Sequence, residues 1–179
     1  GTSGADTLTS GSIDSILQGR GGDDALNVSA SGRNVVVFNA DQATNGTDTV
    51  TGFTTGTTFQ SDVMAITGTV DMRGDGDALQ TLAEGGALNA DTGFVIFTTA
   101  LDDTEASTLE TAFEGLTGEA EGDTVFFLAG DGEDAALVRT ETNGADDASV
   151  EVMARFEGIG DLSDLSPDNV ILPDPVMNT

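Results

Sequence analysis

Residues 1–27 divide into three blocks of nine: GTSGADTLT (1–9), SGSIDSILQ (10–18) and GRGGDDALN (19–27). The eighth place of each block is leucine, and one further step of nine reaches a valine: Leu8, Leu17, Leu26 and Val35. This period predicts a repeated unit in which a glycine-rich turn is followed by a short strand with one inward-pointing apolar side chain. Two units complete a coil of about 18 residues, so alternate blocks stack on the same side.

The sixth place of the first and third blocks is an aspartate, Asp6 and Asp24. Together with the glycines of these blocks, this is the G-G-x-G-x-D-x-U-x pattern of calcium-binding parallel β-rolls. Because the two blocks stack, we expect both carboxylates to converge on one ion. Turn oxygens would complete the six or more oxygen ligands that Ca²⁺ takes, and the candidate metal ligands are Asp6, Asp24, Gly1, Ser3, Gly19 and Gly22.

The second block departs from the pattern, with Ile13 in the fourth place and Ser15 in the sixth. The block that stacks on it, VSASGRNVV (28–36), contains no acidic residue. We therefore expect one good ion site, on the side of blocks one and three, and none or a weak one on the other side. The competing interpretation of the whole segment is a glycine- and aspartate-rich loop without a repeat.

The segment VVVFNADQATNGTDTVTGFTTG (35–56) resembles the stretch that follows the nonapeptides in RTX proteins of type I secretion. In that family a strand, a polar loop and a D-x-I-x-D-F turn close the roll. Asp48, Val50 and Phe53 match this turn, whereas Gly52 stands where the family has its second aspartate. Asp41 and Asp48 are possible further ligands, with solvated loop carboxylates as the alternative.

Composition limits the function. The chain of 179 residues has 5 basic and 32 acidic residues, a net charge of −27, and it has no histidine or cysteine. Ser-His-Asp and Cys-His catalysis and the usual zinc ligand sets are therefore excluded, and we expect no enzyme activity. An acidic chain also lacks the basic clusters that bind nucleic acid, and no apolar stretch approaches the roughly 20 residues of a membrane helix.

The remaining sequence predicts more sheet and one helix. Strands are expected at 93–99, 123–129, 134–141 and 149–157, an amphipathic helix at 103–116, and a short helix at 78–83. The predicted fold class is mainly β: a short calcium-binding parallel β-roll that continues into an α+β sheet domain. The predicted organisation is a roll with its closing turn (1–56), a β-rich region (57–172) and a mobile tail (173–179).

The resemblance implies a calcium-binding C-terminal module of a secreted bacterial protein, which folds on Ca²⁺ outside the cell and carries the type I secretion signal. The implied partners are calcium ions and the type I secretion machinery, with self-association or cell-surface glycans as further candidates. The alternative function is a calcium-bridged structural subunit of a surface layer, filament or adhesin. Both functions place the protein outside the cell, and the second places it at the cell surface.

Overall fold

The computed structural model describes residues 1–68, 70, 72–73, 78–144 and 147–172. The protein is mainly β, with 40% strand and 11% helix arranged as two sheets and one substantial helix. The predicted tail at 173–179 lies outside the described residues. Among the described helices, none is long and apolar enough to cross a membrane.

Twelve strands and two helices follow one another along the described chain. In order they are β1 (Thr7–Thr9), β2 (Ile16–Gln18), β3 (Ala25–Asn27), β4 (Val35–Asn39), α1 (Gln42–Asn45), β5 (Asp48–Thr51), β6 (Val63–Thr67), β7 (Ala78–Leu82), β8 (Thr92–Phe97), α2 (Ala106–Glu114), β9 (Thr124–Gly130), β10 (Ala135–Gly144), β11 (Asp147–Glu157) and β12 (Val170–Ile171). The eight-stranded sheet has the order β1-β3-β5-β11-β10-β9-β8-β7, and the four-stranded sheet has the order β12-β6-β4-β2.

The first six strands alternate between the two sheets, as the nonapeptide period predicts. β1, β3 and β5 pair in parallel in one sheet, while β2, β4 and β6 pair in parallel in the other. Leu8 lies opposite Leu26 in this arrangement, so the predicted spacing of 18 residues between stacked blocks is confirmed. The inward side chains of these strands, with Leu17 and Leu26 almost fully buried, fill the space between the two sheets.

The predicted step from Leu17 to Val35 is wrong by one residue. Leu17 pairs with Val36, which is fully buried, whereas Val35 is half-buried on the outer face. The connection that precedes β4 is one residue longer than the repeat requires. It contains Gly32 in the left-handed region, with φ 81°, where an added Cβ would collide with the backbone of Ile13 and Asp14.

The later strands complete the larger sheet. β9, β10 and β11 form the antiparallel meander that the sequence predicts, and β11 then pairs in parallel with β5. The eight-stranded sheet therefore runs without a break from the N-terminal coils into the second half of the chain. Helix α2 confirms the predicted helix over a shorter range and buries Leu109, Ala112 and Phe113 against this sheet.

The predicted helix at 78–83 is wrong, because the residues form strand β7. This strand pairs in parallel with β8, placing Leu79 opposite Phe94. Pairing at the edge of the sheet satisfies the backbone of β7, and this tertiary contact overrides the helical preference of the ALQTL sequence.

Candidate metal centre

Three aspartates stand at the starts of strands β1, β3 and β5, and we call them the acidic ladder: Asp6 and Asp24, which directly precede β1 and β3, and Asp48, which is the first residue of β5. The strand register stacks them as successive rungs, because Thr7, Ala25 and Thr49 lie side by side. Each rung binds the next through its backbone. The N–H of Asp6 donates to Asp24 Oδ1 at 2.7 Å, and the N–H of Asp24 donates to Asp48 Oδ1 at 3.1 Å.

The lower two rungs are buried. Asp24 is 2% exposed and Asp48 is 0% exposed. Burial raises the pKa of Asp48 to about 7, since water no longer stabilises its charge, and the nearby charge of Asp24 adds to the effect. Asn45 Nδ2 donates to Asp48 Oδ2 at 3.4 Å and offsets part of this cost. The site therefore concentrates carboxyl groups in a place from which solvent is excluded, and at neutral pH Asp48 is only partly ionised.

Asp6, the top rung, differs from the other two because a residue of its own turn donates hydrogen bonds to its carboxylate. The backbone N–H and the hydroxyl of Thr2 both donate to Asp6 Oδ2, the hydroxyl at 2.8 Å, and these bonds lower the pKa of Asp6. Asp6 is therefore ionised at neutral pH and sits directly above the buried carboxylates.

Asp24 has one oxygen that nothing satisfies. Its Oδ2 atom is buried and has no hydrogen-bond partner among the described residues. This oxygen lies beside Gly19, the first residue of the turn that ends at Asp24. A Cβ on Gly19 would collide with it. A Cβ on Gly1, one coil away, would collide with the Gly19 carbonyl oxygen and crowd Asp6 Oδ2. The two glycines thus leave oxygen atoms of both turns close together, beside a carboxylate oxygen that lacks a donor.

This donor set suits a hard cation. An unpartnered buried oxygen costs roughly 1–3 kcal/mol, and more when charged, and a divalent cation with oxygen ligands compensates such an atom. The chemistry of the site, with carboxylates and backbone carbonyls and no nitrogen or sulfur donor, fits Ca²⁺. Within the described residues, no three or more acidic side chains converge closely enough to form a ligand cluster by themselves. Backbone oxygens would have to supply most of the coordination shell.

The structure places all six predicted ligands in the stacked turns 1–6 and 19–24. Gly21 packs against Ser3, and Gly22, with φ 99°, packs against the backbone of Gly4 in the coil above. Asp6 and Asp24 are neighbours, as predicted. That these residues bind an ion stays a prediction.

Asp48 belongs to the ladder rather than to a separate closing site. The repeat could not reveal this, because Asp48 follows Asp24 after 24 residues, the extra length being taken up by helix α1. The available signal was an aspartate directly before the alternating strand TVT, the same context as Asp6 and Asp24. Asp41, the other candidate, closes its own turn by accepting the N–H of Ala43 and the hydroxyl of Thr44, at 3.1 and 3.0 Å.

Gly52 occupies the position of the missing family aspartate for a structural reason. Its φ is 78°, and a Cβ there would collide with the carbonyl oxygen of Val28. A side chain at this position would force the coil apart, so the second aspartate of the motif cannot be accommodated here.

The opposite side of the coils carries a second ladder with little charge, which we call the polar ladder: Ser15, Asn34 and Asp62. Register stacks these residues before β2, β4 and β6. Asp62 accepts three N–H groups, from the backbone and side chain of Asn34 at 2.8 and 2.9 Å and from the backbone of Thr54 at 2.8 Å. Its carboxylate is thereby used for structure, whereas Asn34 Oδ1 is buried without a hydrogen-bond partner among the described residues. That this side has no ion site or a weak one stays a prediction.

No protein-family model, curated protein or solved structure matches this chain.

Proposed function

We propose that this chain is a non-enzymatic calcium-binding module, a short parallel β-roll continued by an α+β sheet region, from a secreted bacterial protein. The observation that carries the proposal is the Oδ2 atom of Asp24, which is buried beside Gly19 and has no hydrogen-bond partner among the described residues. Asp24 and Asp6 supply carboxylates to Ca²⁺, and Gly1, Ser3, Gly19 and Gly22 supply backbone oxygens. Asp48 holds the N–H of Asp24 and so fixes the position of the ligand.

The net charge makes binding a folding switch. A chain of net charge −27 repels itself when compact, and two rungs of the acidic ladder are buried. Where free Ca²⁺ is scarce, as in a cytosol, this repulsion favours the unfolded chain that a type I secretion machinery exports. Where Ca²⁺ is abundant, binding to the folded state alone stabilises it by mass action.

Direct calcium binding tests the proposal. Isothermal titration calorimetry of the calcium-free protein with CaCl₂ is expected to give one binding site. The substitution Asp24→Asn is expected to abolish this site. Asparagine keeps an oxygen that can accept the N–H of Asp6, so the variant removes the charge while retaining the ladder. Asp23→Asn is the matched control, because Asp23 is the exposed neighbour and its loss changes the net charge equally.

Two results would overturn the proposal. The first is no heat of binding at millimolar Ca²⁺ in the folded wild-type protein. The second is equal binding by the wild-type, Asp24→Asn and Asp23→Asn proteins, which would reduce calcium binding to a property of the diffuse acidic surface.

A further inference from the structure

The outer face of the four-stranded sheet is mostly apolar, although it faces away from the core. Strand alternation points one set of side chains outward, and the members at the strand ends are polar: Gln18, Asn39 and Thr67. We call the apolar members the outer apolar face: Ile16, Val35, Val37, Val63, Ala65 and Ile171, of which Val63 and Ala65 are buried by their neighbours. The equivalent outward positions of β1, β3 and β5 in the other sheet are Thr7, Thr9, Ala25, Asn27, Thr49 and Thr51. A sheet with one solvated face usually carries polar residues on that face. The outward positions of β1, β3 and β5 follow this rule, and the outer apolar face does not.

Exposure of large apolar side chains is concentrated around this face. The described residues include four exposed large hydrophobic side chains, with exposures of 76% for Ile16, 52% for Ile171, 74% for Ile13 and 84% for Phe59. Ile16 and Ile171 belong to the face itself. Ile13 and Phe59 lie in the turns that lead directly into β2 and β6. Scattered exposed hydrophobics need no explanation, but a contiguous set marks a contact surface.

The same region is almost neutral in a strongly acidic protein. A groove of about 450 Å³ crosses the face beside Ile16, Val35 and Ile171, with one acid and one base on its rim, Asp14 and Arg33. The guanidinium of Arg33 donates to the carbonyl of Asp168 at 3.2 Å, and it has no carboxylate within ion-pair distance among the described residues. The Asp14 carboxylate accepts the backbone N–H of Arg33 at 2.9 Å. The face therefore offers a cation, an anion and an apolar strip side by side.

We propose that a second copy of this chain packs on the outer apolar face to form a two-fold symmetric dimer. A symmetric interface must be self-complementary, and this face meets that condition because Arg33 of each copy can pair with Asp14 of the other. Two copies of net charge −27 repel elsewhere, so the near-neutral face is where they approach at least cost. The four exposed side chains offer on the order of 500 Å² of apolar area per copy, somewhat below the roughly 800 Å² of a standard interface, which predicts a reversible dimer.

Sedimentation equilibrium of the intact chain tests the dimer. The expected mass rises from 18.1 kDa towards twice that value as concentration increases, in CaCl₂ and equally in EDTA under conditions where circular dichroism shows the chain to be folded. The proposal does not rest on calcium binding, so this folded EDTA sample separates its failure from that of the proposed function. Raising the NaCl concentration is expected to favour the dimer, because screening weakens the repulsion between the two acidic chains.

Exchanging the charges of Arg33 and Asp14 tests whether these residues lie at the interface. Recovery of the dimer in a mixture of the two variants shows that both variants are folded. Arg33→Asp alone and Asp14→Arg alone are each expected to be monomeric, since each places like charges opposite one another. An equimolar mixture of the two variants is expected to dimerise, because each Asp then meets an Arg across the interface. Arg20→Asp is the matched control with the same change of charge on the opposite side of the coils, and it should leave dimerisation unchanged.

Three results would overturn the proposal. The first is a monomer at every concentration in both buffers. The second is a dimer that requires Ca²⁺ although circular dichroism shows the chain to be folded in EDTA, which would indicate bridging through the acidic residues instead. The third is a monomer that binds phosphatidylcholine vesicles through Ile16 and Ile171, which would assign the face to a lipid surface.

Discussion

Asp48 is expected to make the calcium-free protein less stable as the pH rises. Its pKa is raised from an ordinary value of 3.8 to about 7 in the folded state, so between these values the folded chain holds a proton that the unfolded chain has released. Stability linked to this proton is fully present below about pH 4 and is lost as the pH rises to about 7. At about 1.4 kcal/mol per pKa unit, the total loss is about 4 kcal/mol, of which about 2–3 kcal/mol falls between pH 5 and pH 8.

The substitution Asp48→Asn isolates this effect. Asparagine is nearly isosteric, keeps an oxygen for the N–H of Asp24 and carries no charge. Urea unfolding in EDTA at pH 5 and pH 8 should show the wild-type protein losing about 2–3 kcal/mol more than Asp48→Asn over this interval. General repulsion among the other acids acts on both proteins and cancels in the comparison. Asp23→Asn should stay close to the wild type, because the charge of Asp23 is only the smallest of the causes that raise the pKa of Asp48.

An equal pH dependence of the free energy of unfolding in the wild-type and Asp48→Asn proteins would contradict this expectation. That result would mean that Asp48 is ionised in the folded state at no cost, and that the ladder is open to solvent or compensated by groups other than Asn45.

Three further substitutions test the coils, each measured by urea unfolding at pH 7 in EDTA. Leu26→Ala should cost about 2–5 kcal/mol because Leu26 is fully buried between stacked coils, while Leu8→Ala in the partly buried end coil should cost about half as much. Asp62→Ala should cost about 3 kcal/mol or more, since it leaves three N–H donors without their acceptor, whereas Asp62→Asn should cost less. Gly52→Asp should destabilise by about 2 kcal/mol or more through its positive φ and the Val28 carbonyl, and a neutral effect would show that the missing family aspartate has another cause.

The parallel coils at the N-terminus were predictable because short-range physics determines them. The spacing of Leu8 and Leu26 follows from the repeat alone, and so does the stacking of Asp6 on Asp24. The strands β9, β10 and β11 were also accessible, since apolar and β-branched runs separated by glycine turns predict a meander.

The rest depended on contacts between distant residues. The slip from Val35 to Val36 and the addition of Asp48 to the ladder both arise where a coil is longer than the repeat, and no local pattern marks how the extra residues are absorbed. The strand β7 forms because β8 is beside it, not because of its own sequence. The pairing of β11 with β5, which joins the coils to the second half of the chain, spans about a hundred residues and leaves no sequence signal.

Calorimetric unfolding with and without calcium shows whether the folding of this chain is coupled to the ion. In EDTA at pH 8 the wild-type protein should melt at a low temperature, and millimolar CaCl₂ should raise the melting temperature because the ion binds only the folded state. Asp24→Asn should lose most of this rise, and Asp23→Asn should keep it. A melting temperature that is the same in EDTA and in CaCl₂ for the wild-type protein would contradict the account.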